Sequence, residues 1–210
     1  MSELLLRTLT GAGLIVLSLM AAVVGGYSFA ILVAAVATGI YYEWSRMVRG
    51  WGVGWKILGF FYALLPALAM LWIRDQSTGG LALLMWVFIT TWSVDIGGYV
   101  VGRSIGRRKL APTISPGKTW EGFFGGVATA AVASAVWITY AELPRFLIPL
   151  APIFAAAAQG GDLFESWMKR KAGVKDSGSW LPGHGGLLDR LDGLVPVAIL
   201  TALLVLADLA

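Results

Sequence analysis

Residues 79–102 read GGLALLMWVFITTWSVDIGGYVVG, and Arg103 follows directly. A helix needs about 20 mostly apolar residues to cross the ~30 Å hydrocarbon core of a bilayer. This stretch meets that length with one charged side chain, Asp95, towards its end. Segments of the same kind lie at 8–24, 27–45, 55–73, 119–141, 144–168 and 190–209. The expected fold is an all-α, polytopic transmembrane helical bundle of about seven spans. Composition agrees. Of 210 residues, 58% are hydrophobic and 13% charged, against roughly 25% charged in a soluble domain. With a mean hydropathy of +0.76, the chain has too few polar side chains to cover a soluble globule. Arg7 ahead of an apolar run ending Ala21-Ala22-Val23 has the look of a signal peptide. Because apolar segments recur to the last residue, it is read as a first span instead.

Charge placement tests the count. With seven spans, the N-terminus and the loops after spans two, four and six share one side. All 16 lysines and arginines fall on that side except Arg74 and Arg145. Positive residues favour the cytoplasm, so the N-terminus is expected inside and the C-terminus outside. No repeat or low-complexity linker interrupts the chain. Residues 1–210 are expected to form a single integral membrane domain, with N-terminal helices over 1–75 and catalytic helices and cytoplasmic loops over 79–210. Loops 103–118 and 169–189 would be its working parts.

Cysteine is absent and His184 is the one histidine. Disulfides, thiolate sites and multi-histidine metal sites within one chain are thereby excluded. Any metal would be a hard cation such as Mg²⁺ held by carboxylates. Glu43, Asp95, Glu121, Asp162, Asp189 and Asp192 all fall near inside ends of the spans. Asp95 precedes Arg103 by eight residues and Asp162 precedes Lys169 by seven, which places both roughly 10–12 Å along the helix from those cations. A carboxylate at that depth is costly unless paired, protonated or ligating. One alone could be a packing salt bridge or a snorkelling group; six on one leaflet favour a shared polar cavity.

The densest stretch is 159–192. On a helix, Asp162, Ser166 and Lys169 share a face. Asp189 and Asp192, three residues apart, can converge on one ion. Between them, Pro182-Gly183-His184-Gly185-Gly186 forms a glycine-rich loop whose amides could approach phosphate oxygens. Carboxylate pairs, cations and a glycine loop are the parts of metal-assisted phosphoryl transfer, with Lys and Arg neutralising developing charge. Each part alone has a plainer reading: Lys169-Arg170-Lys171 as a positive-inside anchor, the glycines as a turn, the histidine as structural. Their compression into one segment favours a site. Upstream, Ser115 or Thr119 can cap the helix expected from 119, and a helix N-terminus beside Lys118 suits an anion. Gly117-Lys118-Thr119 is not a P-loop, because the earlier glycine spacing fails and no strand is expected before it.

The run Ser166-x-x-Lys169-Arg170-x4-Lys175-Asp176-x-Gly178-x3-Pro182-Gly183-His184-Gly185-Gly186-x-x-Asp189-Arg190-x-Asp192 resembles the signature of phosphatidate cytidylyltransferases, or CDP-diacylglycerol synthases. So do Ser115-Pro116-x-Lys118-Thr119-x-Glu121-Gly122 and Asp95-x-Gly97-Gly98-Tyr99 followed by Gly102-Arg103. The resemblance covers roughly residues 92–195. Gly117 and Gly193 stand where many members have Lys and Ser, and the N-terminal half is short for a bacterial member. The resemblance implies that CTP and phosphatidic acid become CDP-diacylglycerol and pyrophosphate, with Mg²⁺ or another divalent cation. It implies catalytic roles for Asp162, Lys169, Arg170, Lys175, Asp176, His184, Asp189, Arg190 and Asp192. Asp189 and Asp192, with Asp162, would hold the metal. Asp95, Arg103, Ser115, Lys118, Thr119, Glu121, Ser166, Gly185 and Gly186 would bind substrate. His184 reads as a phosphate donor or loop organiser, since a phosphate monoester dianion needs no base. Expected partners are CTP, phosphatidic acid, the bilayer and a second copy in a homodimer, with no nucleic acid. The expected location is a bacterial inner membrane, with the site facing the cytoplasm. The rivals are a CTP-dependent transferase or kinase acting on a polyprenol or archaeal ether lipid, and a non-enzymatic transporter or scaffold. A CDP-alcohol phosphotransferase is disfavoured, because its spaced Asp-x-x-Asp-Gly-x-x-Ala-Arg run is missing.

Overall fold

A chain with little water around its amides must satisfy them internally, and a helix does so within one segment. Each apolar segment of the sequence is accordingly helical in the structure, a computed structural model that describes residues 3–181 and 185–207. In chain order these are α1 (Glu3–Val24), α2 (Gly26–Met47), α3 (Val53–Arg74), α4 (Gly80–Ile105), α5 (Trp120–Tyr140), α6 (Leu147–Lys171), a single turn α7 (Leu188–Leu191) and α8 (Leu194–Leu206). Four of them, α3 to α6, are long and apolar enough to cross a membrane. The apolar part of α1, Thr8–Val24, is shorter, and so is α8. The 13 residues of α8 rise only ~20 Å. The expected final span is divided: the Asp192 carboxylate accepts the Gly193 N–H at 2.8 Å, a local bond that competes with the helical ladder.

The fold is mostly helical but not all-α. Within the expected loop 103–118, β1 (Lys109–Ala111) and β2 (Ser115–Thr119) pair antiparallel, with Lys109 opposite Thr119 and Ala111 opposite Ser115. The hairpin runs straight into α5. Thr119 is that helix's N-cap, its hydroxyl accepting the Gly122 N–H at 3.1 Å, while Ser115 belongs to the strand. Glu121 fastens the hairpin base by accepting the backbone N–H groups of Arg107 at 3.1 Å and Arg108 at 3.3 Å.

The α4–α5 pair is the most extensively packed. Small residues let the two backbones approach: a Cβ on Gly126 would stand 2.7 Å from the Val94 carbonyl oxygen. Buried Thr90 and Ser134 share a hydrogen bond of 3.0 Å across the same interface. Trp86 of α4 meets Phe154 of α6 with ring centroids 4.9 Å apart. A second apolar cluster, around Trp44, Met168 and Leu188, joins α2, α6 and α7. It carries the loop-bearing ends of those helices and, with them, the polar groups described next. At the opposite end, Arg74 donates to the α1 carbonyls of Ala22 at 2.6 Å and Val23 at 3.1 Å, closing that helix's C-terminus.

Candidate active site

Two polar clusters form where the loops converge. The first lines an open cavity of about 530 Å³ between α4, the hairpin, α5 and α6. Six residues singled out in the sequence meet there: Asp95, Arg103, Ser115, Lys118, Thr119 and Asp162. They come from three elements, α4, β2 and α6, and span 68 positions, and the glycines at the α4–α5 crossing leave the cavity its depth. Lys118 Nζ lies 2.6 Å from Asp162 Oδ2, with both side chains partly open to solvent. Ser166 donates to the other Asp162 oxygen at 3.3 Å. Arg103 donates to the Tyr99 hydroxyl at 2.8 Å, which holds the guanidinium along the cavity wall. The helix N-terminus capped by Thr119 opens onto the same space, so backbone N–H groups and two cations surround a volume suited to an anion.

The second cluster is closed. Lys169 Nζ sits between Glu165 Oε2 at 2.9 Å and Asp189 Oδ1 at 2.6 Å, all three side chains being nearly buried. The other Asp189 oxygen accepts from Ser177 N at 2.9 Å, Ser177 Oγ at 3.0 Å and Gly186 N at 2.8 Å. Burial opposes ionisation of Asp189, but the Lys169 and Gly186 hydrogen bonds outweigh it and hold the pKa below the ordinary carboxylate value. Glu43, 1% exposed, reaches the same loop from α2. It accepts from Leu187 N at 3.0 Å and Leu188 N at 2.9 Å, and its Oε2 lies 3.0 Å from Ser177 Oγ, whose one proton is shared with Asp189. Gly186 must be glycine for this to fit: a Cβ there would lie 2.5 Å from Glu43 Oε2.

The remaining sequence candidates divide between these clusters or fall outside both. Asp192 bridges them, facing Asp162 and Asp95 on one side and Glu165 on the other. Arg190 lies beside Asp95. Arg170 donates to the Ile114 carbonyl at 3.1 Å and so ties α6 to the hairpin tip. Lys175 and Asp176 are exposed on the loop. Glu121 serves the hairpin rather than the cavity. Gly185 accepts from Leu181 N at 3.0 Å, and the Gly186 N–H is engaged by Asp189. His184 lies outside the described residues, as do Pro182 and Gly183. The expected common face of Asp162, Ser166 and Lys169 holds for the first two, while Lys169 turns to Glu165 and Asp189. Glu165 was not among the carboxylates singled out in the sequence, and Glu43 was singled out only as one of six sharing a polar cavity, with no role at the site. Glu165 carried a local signal, its spacing of four from Lys169. Glu43 carried only its depth in a span, because its partners lie 134 to 145 residues away.

The donor chemistry suits a hard cation. Asp95, Asp162 and Asp192 lie close enough to repel one another. Among the described residues no three acidic side chains form a ready cage. Mg²⁺ at phosphoryl-transfer sites takes one or two carboxylates and completes its shell with phosphates and water, so the set fits. Asp189 differs from the other two expected ligands, since both its oxygens already accept hydrogen bonds.

The chain matches the model of the cytidylyltransferase family over residues 48–207. It is 34% identical to a phosphatidate cytidylyltransferase of Brucella suis, over 95% of this chain and 92% of that protein. A phosphatidate cytidylyltransferase of Rickettsia typhi is 33% identical, over 92% of this chain and 88% of its own. One from Haemophilus influenzae is 47% identical, over 55% of this chain and 42% of its own.

Proposed function

The chain belongs to the cytidylyltransferase family, and from that premise we propose that it transfers the cytidylyl group of CTP to phosphatidic acid in phospholipid biosynthesis. It is a nucleotidyltransferase. The observation that carries the substrate reading is the open cavity, lined by Lys118, Arg103, the Thr119-capped helix N-terminus and the carboxylates Asp95 and Asp162, with room for a polyphosphate. A phosphate oxygen of phosphatidic acid attacks the α-phosphorus of CTP. The bond from that phosphorus to the α–β bridging oxygen breaks, and pyrophosphate leaves with the electron pair. The nucleophile is already anionic, so no side chain need remove a proton. Lys118 exchanges Asp162 for phosphate, and Arg103 and Arg190 offset charge on the two substrates. The closed cluster ties Ser177 to the Gly186–Asp189 segment, with Lys169 as its pin. Asp162 and Asp192, with Asp95 alongside, would hold Mg²⁺; Asp189 can join them only by releasing Lys169. Bound there, the metal would neutralise phosphate charge and favour departure of pyrophosphate.

We further propose that seven helices cross the bacterial inner membrane, with the N-terminus and the site on the cytoplasmic side. The distribution of lysines and arginines supports this orientation. So do the positions of Arg74 at the end of α3 and of Arg145 just before α6, away from the other lysines and arginines. A homodimer rests on the family resemblance and is tested by light scattering in detergent.

The deciding experiment gives detergent-purified protein phosphatidic acid, Mg²⁺ and CTP labelled in the cytidine ring. Label should move into the organic phase, stop with EDTA and be lost in Asp162→Asn. A folded protein that transfers no label to phosphatidic acid would sink the reading and direct the search to polyprenol and ether lipids.

A further inference from the structure

The polar cavity has two unlike ends. Along α4 its wall runs from Arg103, beside the loops, to Val94, a rise of ~14 Å. Along α6 it runs from Asp162 one turn further into the bundle, to Gln159. Arg103 and Lys118 therefore mark the loop end, and Val94 and Gln159 the inner end. Gln159 is only 8% exposed. Its Nε2 donates to the Phe123 carbonyl of α5 at 2.9 Å. A carbonyl can only accept, so this bond fixes which way the amide is turned and leaves Oε1 as its free end. No described residue donates to Oε1, yet that atom is not sealed from solvent. A Cβ on Gly126 would stand 3.0 Å from Nε2, so the glycine leaves the amide its seat. Buried polar atoms are ordinarily paired, and an oriented acceptor at the inner end of a cavity is a place for a donor from the ligand. The wall beside it is formed by Gly98, Gly102, Gly122 and Phe123, backbone and a ring, which suit a flat heterocycle.

We propose that Gln159 reads the base of the nucleotide, its Oε1 accepting a hydrogen bond from the exocyclic amino group of cytosine. The inference rests on the CTP reading above and names the residue that makes it selective for that base. Cytosine presents an amino donor where uracil, like thymine, presents a carbonyl oxygen. Against uracil two acceptors would meet and both would stay unpaired, a mismatch that hydrogen-bonding sites reject strongly. CTP carries its charge at one end and the amino group at the other, which matches cations at the loop end and an acceptor at the inner end. A phosphate oxygen has nothing to donate to Oε1. A ribose hydroxyl has, but it lies in the middle of the nucleotide. As a tie between α5 and α6, Gln159 would need only its Nε2, and that role is blind to the base.

The test measures kcat/KM for transfer to phosphatidic acid from four nucleotides labelled at the α-phosphate: CTP, UTP, 2′-deoxy-CTP and the CTP analogue that lacks the 4-amino group. In the wild type, UTP and the analogue should fall below CTP by roughly 10–100-fold, the scale for leaving one buried hydrogen-bonding group unpaired. Gln159→Met removes the amide at nearly the same length, and the ratio of CTP to the analogue should drop towards one. A ratio taken within one preparation cancels any loss of folded protein. The ratio of CTP to 2′-deoxy-CTP should be the same in both proteins. A full preference for CTP over the analogue in Gln159→Met would overturn the proposal. So would a shift confined to the 2′-deoxy ratio, which would give Oε1 to the ribose. Should Gln159→Met fail to fold, the same ratio in Gln159→Ala decides. A folded wild-type protein that transfers label from none of the four refutes the parent reading, and the assignment of Gln159 falls with it.

Discussion

The open cavity and the closed loop cluster are built from the same residue types, carboxylates paired with lysines, yet they are suited to different work. In the cavity, the Lys118–Asp162 pair is partly open to solvent and has room beside it. In the loop cluster, Asp189 and Glu43 accept from Lys169, from the N–H groups of Ser177, Gly186, Leu187 and Leu188, and from the one Ser177 hydroxyl that lies between them. A buried carboxylate with a full set of donors is a structural clamp, because removing it strands every donor. A partly solvated carboxylate facing a cavity can change partners at little cost, as a ligand for a metal or substrate must. Sequence proximity to a motif does not separate the two roles; the number of donors already engaged does.

The sharpest way to break this comparison is to remove one anion from each cluster. Asp162→Asn should reduce kcat/KM by at least roughly 10²–10³-fold, the scale for losing one electrostatic contact to a reacting phosphate, while the thermal midpoint in detergent stays near wild type. Asp189→Ala should also abolish turnover, but with destabilisation of about 3–5 kcal/mol, the cost of leaving a buried charge unpaired. Hydrogen exchange should then show the amides of Ser177 and Gly186 losing protection. If Asp189→Ala unfolds no earlier than wild type, the clamp reading is wrong and Asp189 returns to the metal set. Glu43→Gln is a finer probe, keeping the shape but replacing one acceptor by a donor. Destabilisation of about 1–3 kcal/mol is expected, with activity reduced and the Mg²⁺ dependence unchanged. Thr119→Ala should have the smallest effect, about 1 kcal/mol from loss of the α5 cap, read as a lowered thermal midpoint.

Much of this was legible in the linear chain. Asp95 and Asp162 could be assigned to one cavity because their depth in apolar segments left them few alternatives, and Lys118 was marked as an anion contact by the helix start beside it. The helices were legible because runs of apolar residues have one economical way to pair their amides in lipid. The hairpin was not, since Lys109–Ala111 and Ser115–Thr119 are short and without the alternation that marks a half-buried strand. The division of the final span was also hidden, because it is a local departure at Asp192 and Gly193, next to a long apolar run.

What the sequence determined by itself is therefore the solvent, the helical segments, the side of the membrane its charges favour and the family to which its motif belongs. These follow from composition and local order, which survive in any arrangement of the helices. Which carboxylates lock a loop and which face open space was decided only by tertiary structure. Glu43 meets Leu188 across 145 positions, and Lys169 pairs with Asp189 of α7 and with Glu165, although its own helix face offered Asp162. Such choices depend on how helices pack, because a charge in a low-dielectric interior is settled by the nearest donor in space, and the chain's order does not encode that distance.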